Sequence, residues 1–345
     1  MFKRIKKLLG RYKNLDQVLI VPYRSYGTYS RLFVKGRVLD NAPLKIHQDQ
    51  NKWKTFVNTY KQFDSFEIPD AEVELEIPGK INLKTITNDE GYFLFNQNLE
   101  DNIAEVSSDE GWVDYQLYYR EELEPKTELL GDPFEGEFLI PSVDAEYGVI
   151  SDIDDTILHT GVTSFLKWRL LKNSLLTNAY KRMPLKGAPD LYKLLHKGRA
   201  EGNRNPMFYL SNSPWNMYEY LKLFLDYNGF PKGPILLRDI RHPFEKTIKP
   251  EKPHKQREIF NILKTYPDLK FILIGDSGEH DASIYTDIAV QHSDRILAIY
   301  LRSVNHKKQM ERVQSIIDNF DTTPVLMVHS SAEAIAHARE NGFIK

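Results

Sequence analysis

From residue 147 onward, short apolar runs alternate with segments of helical periodicity, and this alternation constrains the fold more than any other feature of the chain. Each run has the length of a buried strand; in chain order they are YGVIS, MFYLS, PILLR, FILIG, RILAIYL and PVLMV. Parallel strands buried on both faces have this near-continuous apolar character. The alternation of strands and helices therefore predicts a doubly wound α/β domain built on a parallel sheet.

The preceding part of the chain has a different texture. Residues 31–39 (RLFVKGRVL) and 71–79 (AEVELEIPG) alternate, or nearly so, between apolar and polar side chains. Residues 81–95 (INLKTITNDEGYFLF) indicate two strands around a turn at 88–91. Several short strands without a convincing long helix predict a small all-β sandwich.

The length of 345 residues favours two domains, since single cores rarely grow past about 250–300 residues. We predict a basic amphipathic N-terminal segment at 1–15, the β-sandwich domain at 16–144 and the α/β domain at 145–345. A small basic and apolar insert is expected within the last of these, at about 161–184.

Composition narrows the cellular context and the available chemistry. The chain has no cysteine, which excludes disulfides, thiolate metal ligands and a cysteine nucleophile. No apolar run approaches the ~20 residues that a transmembrane helix needs, and the N-terminus lacks the apolar core of a secretory signal. The sequence therefore predicts a cytoplasmic protein that is soluble or peripherally bound to a membrane.

The N-terminal segment begins MFKRIKKLLGRYK, with six basic residues and no acidic one. Its apolar residues fall on one face of a helix, with the basic residues mostly off that face. This pattern suits a helix lying on an anionic membrane surface. It equally suits an exposed terminus whose few apolar residues dock on the body of the protein, and the sequence leaves both readings open.

Polar side chains follow three of the predicted strands at the point where each strand ends. Asp152 follows YGVIS, Ser211 follows MFYL, and Asp276 follows FILIG. In open parallel sheets the active site lies beyond the carboxyl ends of the strands, so these side chains are expected to converge. Neighbouring carboxylates favour a hard divalent cation such as Mg²⁺. With Lys255 near the start of a later helix, the set predicts phosphoryl transfer.

These residues carry a resemblance to known families. DIDDT at 152–156 resembles the DxDxT signature of the haloacid dehalogenase (HAD) superfamily, and Ser211, Lys255 and GDSGEHD at 275–281 resemble its later elements. More closely, SDIDDTILHTGV, LSNSPWNMY, LLRD and GDSGEHDASIY are similar to the actin-patch-protein type of phosphatidate phosphatase. The resemblance implies a HAD-like fold for the α/β domain.

The resemblance also implies a role for each residue. Asp152 would be the nucleophile that forms an aspartyl-phosphate, and Asp154 the general acid and then the base. Mg²⁺ would be bound by Asp152, the backbone carbonyl of Asp154 and Asp276, with Asp281 supporting it. Thr156 would hold the loop, Ser211 would bind a phosphoryl oxygen, and Lys255 would offset negative charge.

Some assignments have competing interpretations. Ser211 could be the N-cap of a helix that begins with SPWNMY. Lys246, Lys249 and Lys252 are alternatives to Lys255 as the site lysine. Asp155 is typical of the closer family, but the sequence suggests no chemical role for it.

The insert at 161–184 suggests a substrate class. It combines five basic residues with many apolar ones and has no acidic residue. Cations for a headgroup and apolar side chains for acyl chains would suit a phospholipid substrate at a membrane surface, here phosphatidate. A small helical cap that packs on the α/β body is the simpler alternative.

Two other functions remain open from the sequence, namely a phosphatase for a soluble phosphomonoester and a lipid-binding or scaffold protein with a decayed site. No recognisable nucleic-acid module is present, so no nucleic-acid partner is expected. Protein partners and the role of the β-domain cannot be read from the sequence.

Overall fold

The computed structural model describes residues 15, 17–40, 66–100, 103, 107–108, 110–154, 156–157, 185–200, 204–238, 252–277, 280–303 and 307–345. The basic segment up to residue 14, Asp155 and the predicted insert at 161–184 lie outside these ranges. The chain divides into two compact units, Met1–Ile140 and Pro141–Lys345. Across the described residues, no helix combines the length and apolarity needed to cross a membrane.

The described part of the first unit is built from β-strands. They are β1 (Gln17–Pro22), β2 (Ser25–Thr28), β3 (Arg31–Asp40), β4 (Phe66–Glu67), β5 (Glu72–Ile77), β6 (Ile81–Ile86), β7 (Tyr92–Asn98), β8 (Trp112–Tyr119), β9 (Glu128–Leu129) and β10 (Phe134–Leu139). Hydrogen bonds join them into one ten-stranded sheet along the path β6-β5-β8-β10-β2-β3-β1-β9, with β4 and β7 paired to β3. Most pairs are antiparallel, while β1–β9 and β10–β2 are parallel. The predicted sandwich arrangement of these strands stays a prediction.

The core of this unit follows the apolar alternation of the sequence. Val73, Leu75 and Ile77 of β5 are buried, as the alternating pattern predicts. The predicted turn between β6 and β7 is present and is closed by a hydrogen bond from the Gly91 amide to the Asn88 carbonyl. Gly91 has a φ of +75°, a conformation that glycine adopts without strain.

The second unit is a parallel sheet with helices. Its strands are β11 (Gly148–Asp152), β12 (Met207–Pro214), β13 (Ile235–Arg238), β14 (Phe271–Asp276), β15 (Ile296–Arg302) and β16 (Val325–Val328). Its helices are α1 (Ala188–Lys197), α2 (Tyr218–Tyr227), α3 (His254–Thr265), α4 (Asp281–Gln291), α5 (Lys307–Asp318) and α6 (Ser331–Glu340). All pairs in the strand order β13-β12-β11-β14-β15-β16 are parallel, which confirms the predicted parallel α/β class.

Helices cover both faces of this sheet. Side chains of successive strand residues point to opposite faces, and in β12 Phe208 packs against Tyr266 at the end of α3 while Tyr209 stacks on Tyr192 of α1. The helices α1 and α3 therefore lie on opposite faces. Burial on both sides explains why the central strands are apolar along nearly their whole length.

The strand order places β11 in the middle of the sheet, although it is the first strand of the unit. The chain adds β12 and β13 on one side of β11 and then returns to add β14, β15 and β16 on the other. The reversal falls between β11 and β14. In open α/β sheets the crevice at this switch point, beyond the carboxyl ends of the strands, is where ligands bind.

Candidate active site

Two buried carboxylates lie at the switch point. Asp152 is the last residue of β11 and Asp276 the last residue of β14, and both have a relative exposure of 0%. The two strands are hydrogen-bonded neighbours with Ser151 paired to Ile274, so their carboxyl ends meet at the same edge of the sheet. The sequence placed both residues at strand ends, and the structure brings them together.

Asp281 joins them from the start of α4. It is the first residue of the helix and is fully buried, and its Oδ2 accepts a hydrogen bond from the backbone amide of Asp276 at 3.4 Å. Oxygen atoms of Asp152, Asp276 and Asp281 lie within 4.8 Å of one another. The GDSGEHD segment therefore contributes two carboxylates, those of Asp276 and Asp281, to the cluster with Asp152.

This close approach depends on a glycine that our sequence analysis did not single out. A Cβ placed on Gly275 would lie 2.6 Å from Oδ2 of Asp281 and 2.7 Å from Cε2 of Tyr285. Contacts this short are not tolerated between non-bonded heavy atoms, so Gly275 provides the space in which α4 begins. The sequence signal was present, since the glycine directly precedes Asp276.

Lys255 is the lysine that reaches the carboxylates. It is the second residue of α3 and is 2% exposed, and its Nζ lies 2.7 Å from Oδ1 of Asp152 and 2.6 Å from Oδ1 of Asp281. Of its competitors, Lys252 is exposed and lies over the ring of Phe260. Lys246 and Lys249 are outside the described residues.

The donor set fits a hard divalent cation. When all groups are ionised, three buried carboxylates and one ammonium leave an excess of two negative charges, and buried charge without compensation is costly. Mg²⁺ prefers carboxylate oxygens, commonly one or two together with water. The chemistry of these residues therefore suits Mg²⁺, which would be held by Asp152, Asp276 and Asp281.

Asp154 and Ser211 form a second pair beside this cluster. The Ser211 hydroxyl donates to Oδ2 of Asp154 at 2.5 Å and accepts from the amide of Ser213 at 2.9 Å. Ser211 is fully buried within β12, whereas Asp154 is half-buried, so the two neighbouring acids Asp152 and Asp154 have different environments. Ser211 is not a helix cap in this structure, because it belongs to β12, and the helix that follows has another residue at its N-cap.

Thr156 secures the loop after β11. Its hydroxyl donates to Oδ2 of Asp152 at 3.4 Å, and the next residue, Ile157, donates its amide to the carbonyl of Ile153. Thr156 is buried. The structure thus brings the expected site residues close together, while their roles in the site stay predictions.

The hydroxyl groups of Ser151 and Tyr192, which the sequence analysis missed, stabilise the backbone at Asp152. The Ser151 hydroxyl donates to the Asp152 carbonyl at 2.8 Å, and its oxygen lies 2.5 Å from the phenol oxygen of Tyr192. Since Ser151 already donates, Tyr192 donates to it. Burial raises the pKa of Tyr192, so the phenol keeps its proton. A serine within an apolar strand was the available signal for Ser151; nothing in the sequence pointed to Tyr192.

The fold and the site together define a parallel α/β domain with a buried acidic cluster at its switch point. Residues 147–303 match the family described as "Phosphatidate phosphatase APP1, catalytic domain". This region is therefore similar to the catalytic domain of that family, as the sequence motifs indicated.

Two curated yeast proteins are similar to the chain. Phosphatidate phosphatase APP1 of Saccharomyces cerevisiae is 38% identical over 194 residues, which is 53% of this chain and 32% of that protein. An uncharacterized protein of Schizosaccharomyces pombe is 28% identical over 183 residues, which is 51% of this chain and 29% of that protein. The aligned region thus spans about a third of the length of these relatives.

Among solved structures, a ferredoxin-NADP⁺ reductase from Plasmodium falciparum aligns with 83% of this chain and 95% of that chain, at 8% identity. The TM-score of 0.19 is too low to indicate a shared fold.

Proposed function

We propose that the chain is a Mg²⁺-dependent phosphatidate phosphatase that releases phosphate and diacylglycerol through an aspartyl-phosphate. The observation that carries the proposal is the buried cluster of Asp152, Asp276, Asp281 and Lys255, which lies in the region that matches the phosphatidate phosphatase family. In this proposal the α/β domain of residues 145–345 has a HAD-like fold, and the β-domain of residues 16–144 is a β-sandwich.

In the first step Asp152 acts as the nucleophile. An oxygen of its carboxylate bonds to phosphorus, and the bond between phosphorus and the glycerol oxygen breaks. Asp154 gives its proton to that leaving oxygen, which releases diacylglycerol. The half-buried position of Asp154 beside fully buried Asp152 supports this division of roles, because Asp154 can reach both the leaving group and water.

In the second step the aspartyl-phosphate is hydrolysed. Asp154, now a carboxylate, takes a proton from water while the water oxygen bonds to phosphorus. The bond between phosphorus and the Asp152 oxygen breaks, which releases phosphate and restores the Asp152 carboxylate. Asp154 ends the cycle protonated, as it began.

The other residues position these two. Lys255 offsets the charge of Asp152 and of the phosphate, and Thr156 and Ser151 fix the Asp152 loop. Ser211 binds a phosphoryl oxygen, for which it exchanges its hydrogen bond to Asp154. Asp152, Asp276 and Asp281, with the Asp154 carbonyl, would hold Mg²⁺, which when bound would neutralise charge on the phosphoryl oxygens.

We further propose that the enzyme meets its phospholipid at a membrane surface as a peripheral protein. The basic and apolar composition of residues 161–184 and of residues 1–15 supports this. Both segments combine cations for anionic headgroups with apolar side chains for the acyl region.

The test is phosphate release from mixed micelles of phosphatidate and non-ionic detergent, with and without Mg²⁺, beside a panel of soluble phosphomonoesters. Asp152→Asn is the inactive variant, and Asp144→Asn, which changes an exposed aspartate, is the matched control. We expect turnover of phosphatidate that needs both Mg²⁺ and Asp152. Turnover of the soluble panel alone would replace the lipid with a soluble substrate. No turnover of either, with Mg²⁺ still bound, would indicate a binding or scaffold role.

A further inference from the structure

Arg302 lies beside the candidate site, and the proposed mechanism does not use it. It is the last residue of β15 and pairs in register with Asp276, the last residue of β14. Neighbouring strands are about 4.8 Å apart, so the base of the Arg302 side chain lies one strand spacing from a site carboxylate. Its backbone carbonyl accepts a hydrogen bond from Ser277, the residue after Asp276, which fixes it at this edge.

The side chain of Arg302 lines a small cavity that reaches the Asp152 loop. The cavity has a volume of about 20 Å³, and its walls include Thr156, Tyr192, Ile274 and Ser331. Thr156 is the residue whose hydroxyl contacts Asp152. Since Tyr192 belongs to α1, the cavity lies on the α1 face of the sheet, whereas Lys255 approaches from α3 on the opposite face.

Among the described residues that line the cavity, Arg302 is the only one with a charged side chain. Four described residues of the wall carry hydroxyls, and each hydroxyl has a partner. That of Thr156 contacts Asp152, that of Tyr192 contacts Ser151, that of Tyr300 contacts His337, and that of Ser331 donates to the Lys186 carbonyl. Within the part of the chain that the structure describes, no carboxylate forms a salt bridge with Arg302.

This environment is unfavourable for an arginine without an anionic ligand. Burial lowers the pKa of Arg302, but an arginine in a protein stays protonated, so the half-buried charge persists. Such a charge is stabilised when an anion supplies the counter-charge and accepts its N–H groups.

We propose that Arg302 binds an anionic oxygen of the phosphate group whose phosphorus faces Asp152. A group the size of one water molecule needs about 10–15 Å³, so the cavity admits one oxygen atom but not a whole phosphate. One oxygen enters beside Arg302 while the phosphorus remains in front of the nucleophile. Lys255 and Arg302 then hold the phosphate from opposite faces of the sheet, which favours a dianionic monoester over a singly charged diester. The proposal rests on the phosphatase function above.

The first test measures the binding of inorganic phosphate to the full chain by titration calorimetry in the presence of Mg²⁺. We compare the wild type with Arg302→Gln and Arg302→Lys, and with Arg339→Gln, which changes an exposed arginine on α6, the helix that also carries Ser331. Loss of a charge-assisted hydrogen bond predicts a roughly 10- to 100-fold higher Kd for Arg302→Gln. Arg302→Lys should raise the Kd by a smaller factor, since it keeps the charge without the planar fork, and Arg339→Gln should leave it unchanged.

A second test separates binding from a structural role. In Arg302→Ala, guanidinium ions at millimolar concentration should restore phosphate affinity, whereas methylammonium should restore less. Lost affinity that guanidinium does not restore would overturn the proposal, as would a wild-type Kd in Arg302→Gln. Should Arg302→Gln and Arg302→Ala fail to fold, Arg302→Lys decides: a raised Kd upholds the proposal and an unchanged Kd overturns it.

The outcomes distinguish this proposal from the proposed function. Phosphate binding that depends on Arg302, in a protein that does not hydrolyse phosphatidate, would keep the Arg302 subsite and discard the lipid substrate. Hydrolysis of phosphatidate together with phosphate binding that is independent of Arg302 would keep the enzyme and discard the subsite.

Discussion

Lys255 and Asp152 form a fully buried ion pair, with Nζ 2.7 Å from Oδ1, and the same ammonium lies 2.6 Å from Asp281. One lysine therefore compensates two carboxylates from different elements. Removing one partner of a buried ion pair destabilises the fold more than replacing both partners with apolar residues, because the remaining charge stays uncompensated in the interior.

We expect Lys255→Met to lower the free energy of unfolding by about 3–5 kcal/mol without a metal. Mg²⁺ should restore more stability to this variant than to the wild type, because the carboxylates lose the ammonium that competes for them. Thermal melts with and without Mg²⁺ measure both effects. Lys252→Met, at an exposed lysine three residues earlier, should change neither. Equal melting temperatures for Lys255→Met and the wild type would contradict the assigned pair.

Gly275 provides a second test, directed at space rather than charge. Gly275→Ala places a methyl group 2.6 Å from Oδ2 of Asp281, so we expect a loss of about 1–3 kcal/mol in stability together with reduced activity. Combining it with Asp281→Ala removes the closest clashing atom. The double variant should therefore lose less stability than the sum of the losses in the two single variants. Strictly additive changes in the free energy of unfolding, measured by denaturant unfolding, would show that residues 275 and 281 are not in steric conflict.

Asp154→Asn should separate the two chemical steps. With p-nitrophenyl phosphate, whose leaving group needs no proton, the variant should form the aspartyl-phosphate but hydrolyse it slowly, because no base activates water. We expect a burst of nitrophenolate close to one equivalent, followed by turnover about 10²–10⁴-fold slower than that of the wild type. Rapid-mixing absorbance measures the burst. Ser211→Ala, which retains Asp154, should show no comparable burst, and a burst-free Asp154→Asn would exclude the second role of Asp154.

His337 predicts a pH dependence of stability. Burial lowers the pKa of His337, whose Nδ1 lies 2.9 Å from the Tyr300 hydroxyl, while the nearby Glu340 opposes the shift. The unfolded chain therefore binds a proton at higher pH than the folded one. Stability contributed by neutral His337 is fully present above about pH 6.5, the pKa of an unperturbed histidine, and is lost as the pH falls from there through the lower pKa of the folded state. In His337→Gln, denaturant unfolding should show a flatter profile between pH 5 and 7.

The site residues at strand ends were predictable because each directly follows an apolar run. Asp152, Ser211 and Asp276 share this property. Ligands bind beyond the carboxyl ends of parallel strands, so these residues were expected to lie together in the site. Tyr192 and Arg302 were not predictable in the same way. Their importance depends on contacts with residues far away in the chain, and a single sequence does not specify such contacts.

The first unit shows the same limit. Its strands could be located from alternation and turns, but their order in one ten-stranded sheet could not. The parallel pairs β1–β9 and β10–β2 join residues from opposite ends of the unit, and no local pattern records such pairings.

The central position of β11 also has a consequence for biosynthesis. β11 leaves the ribosome before either of its neighbours β12 and β14, and Asp152 at its end meets Lys255 and Asp281 only after the chain has extended through α4. A chain that stops before β14 would leave one edge of an apolar strand unpaired, which is a template for aggregation. Premature truncation should therefore yield an insoluble product rather than a partly active one.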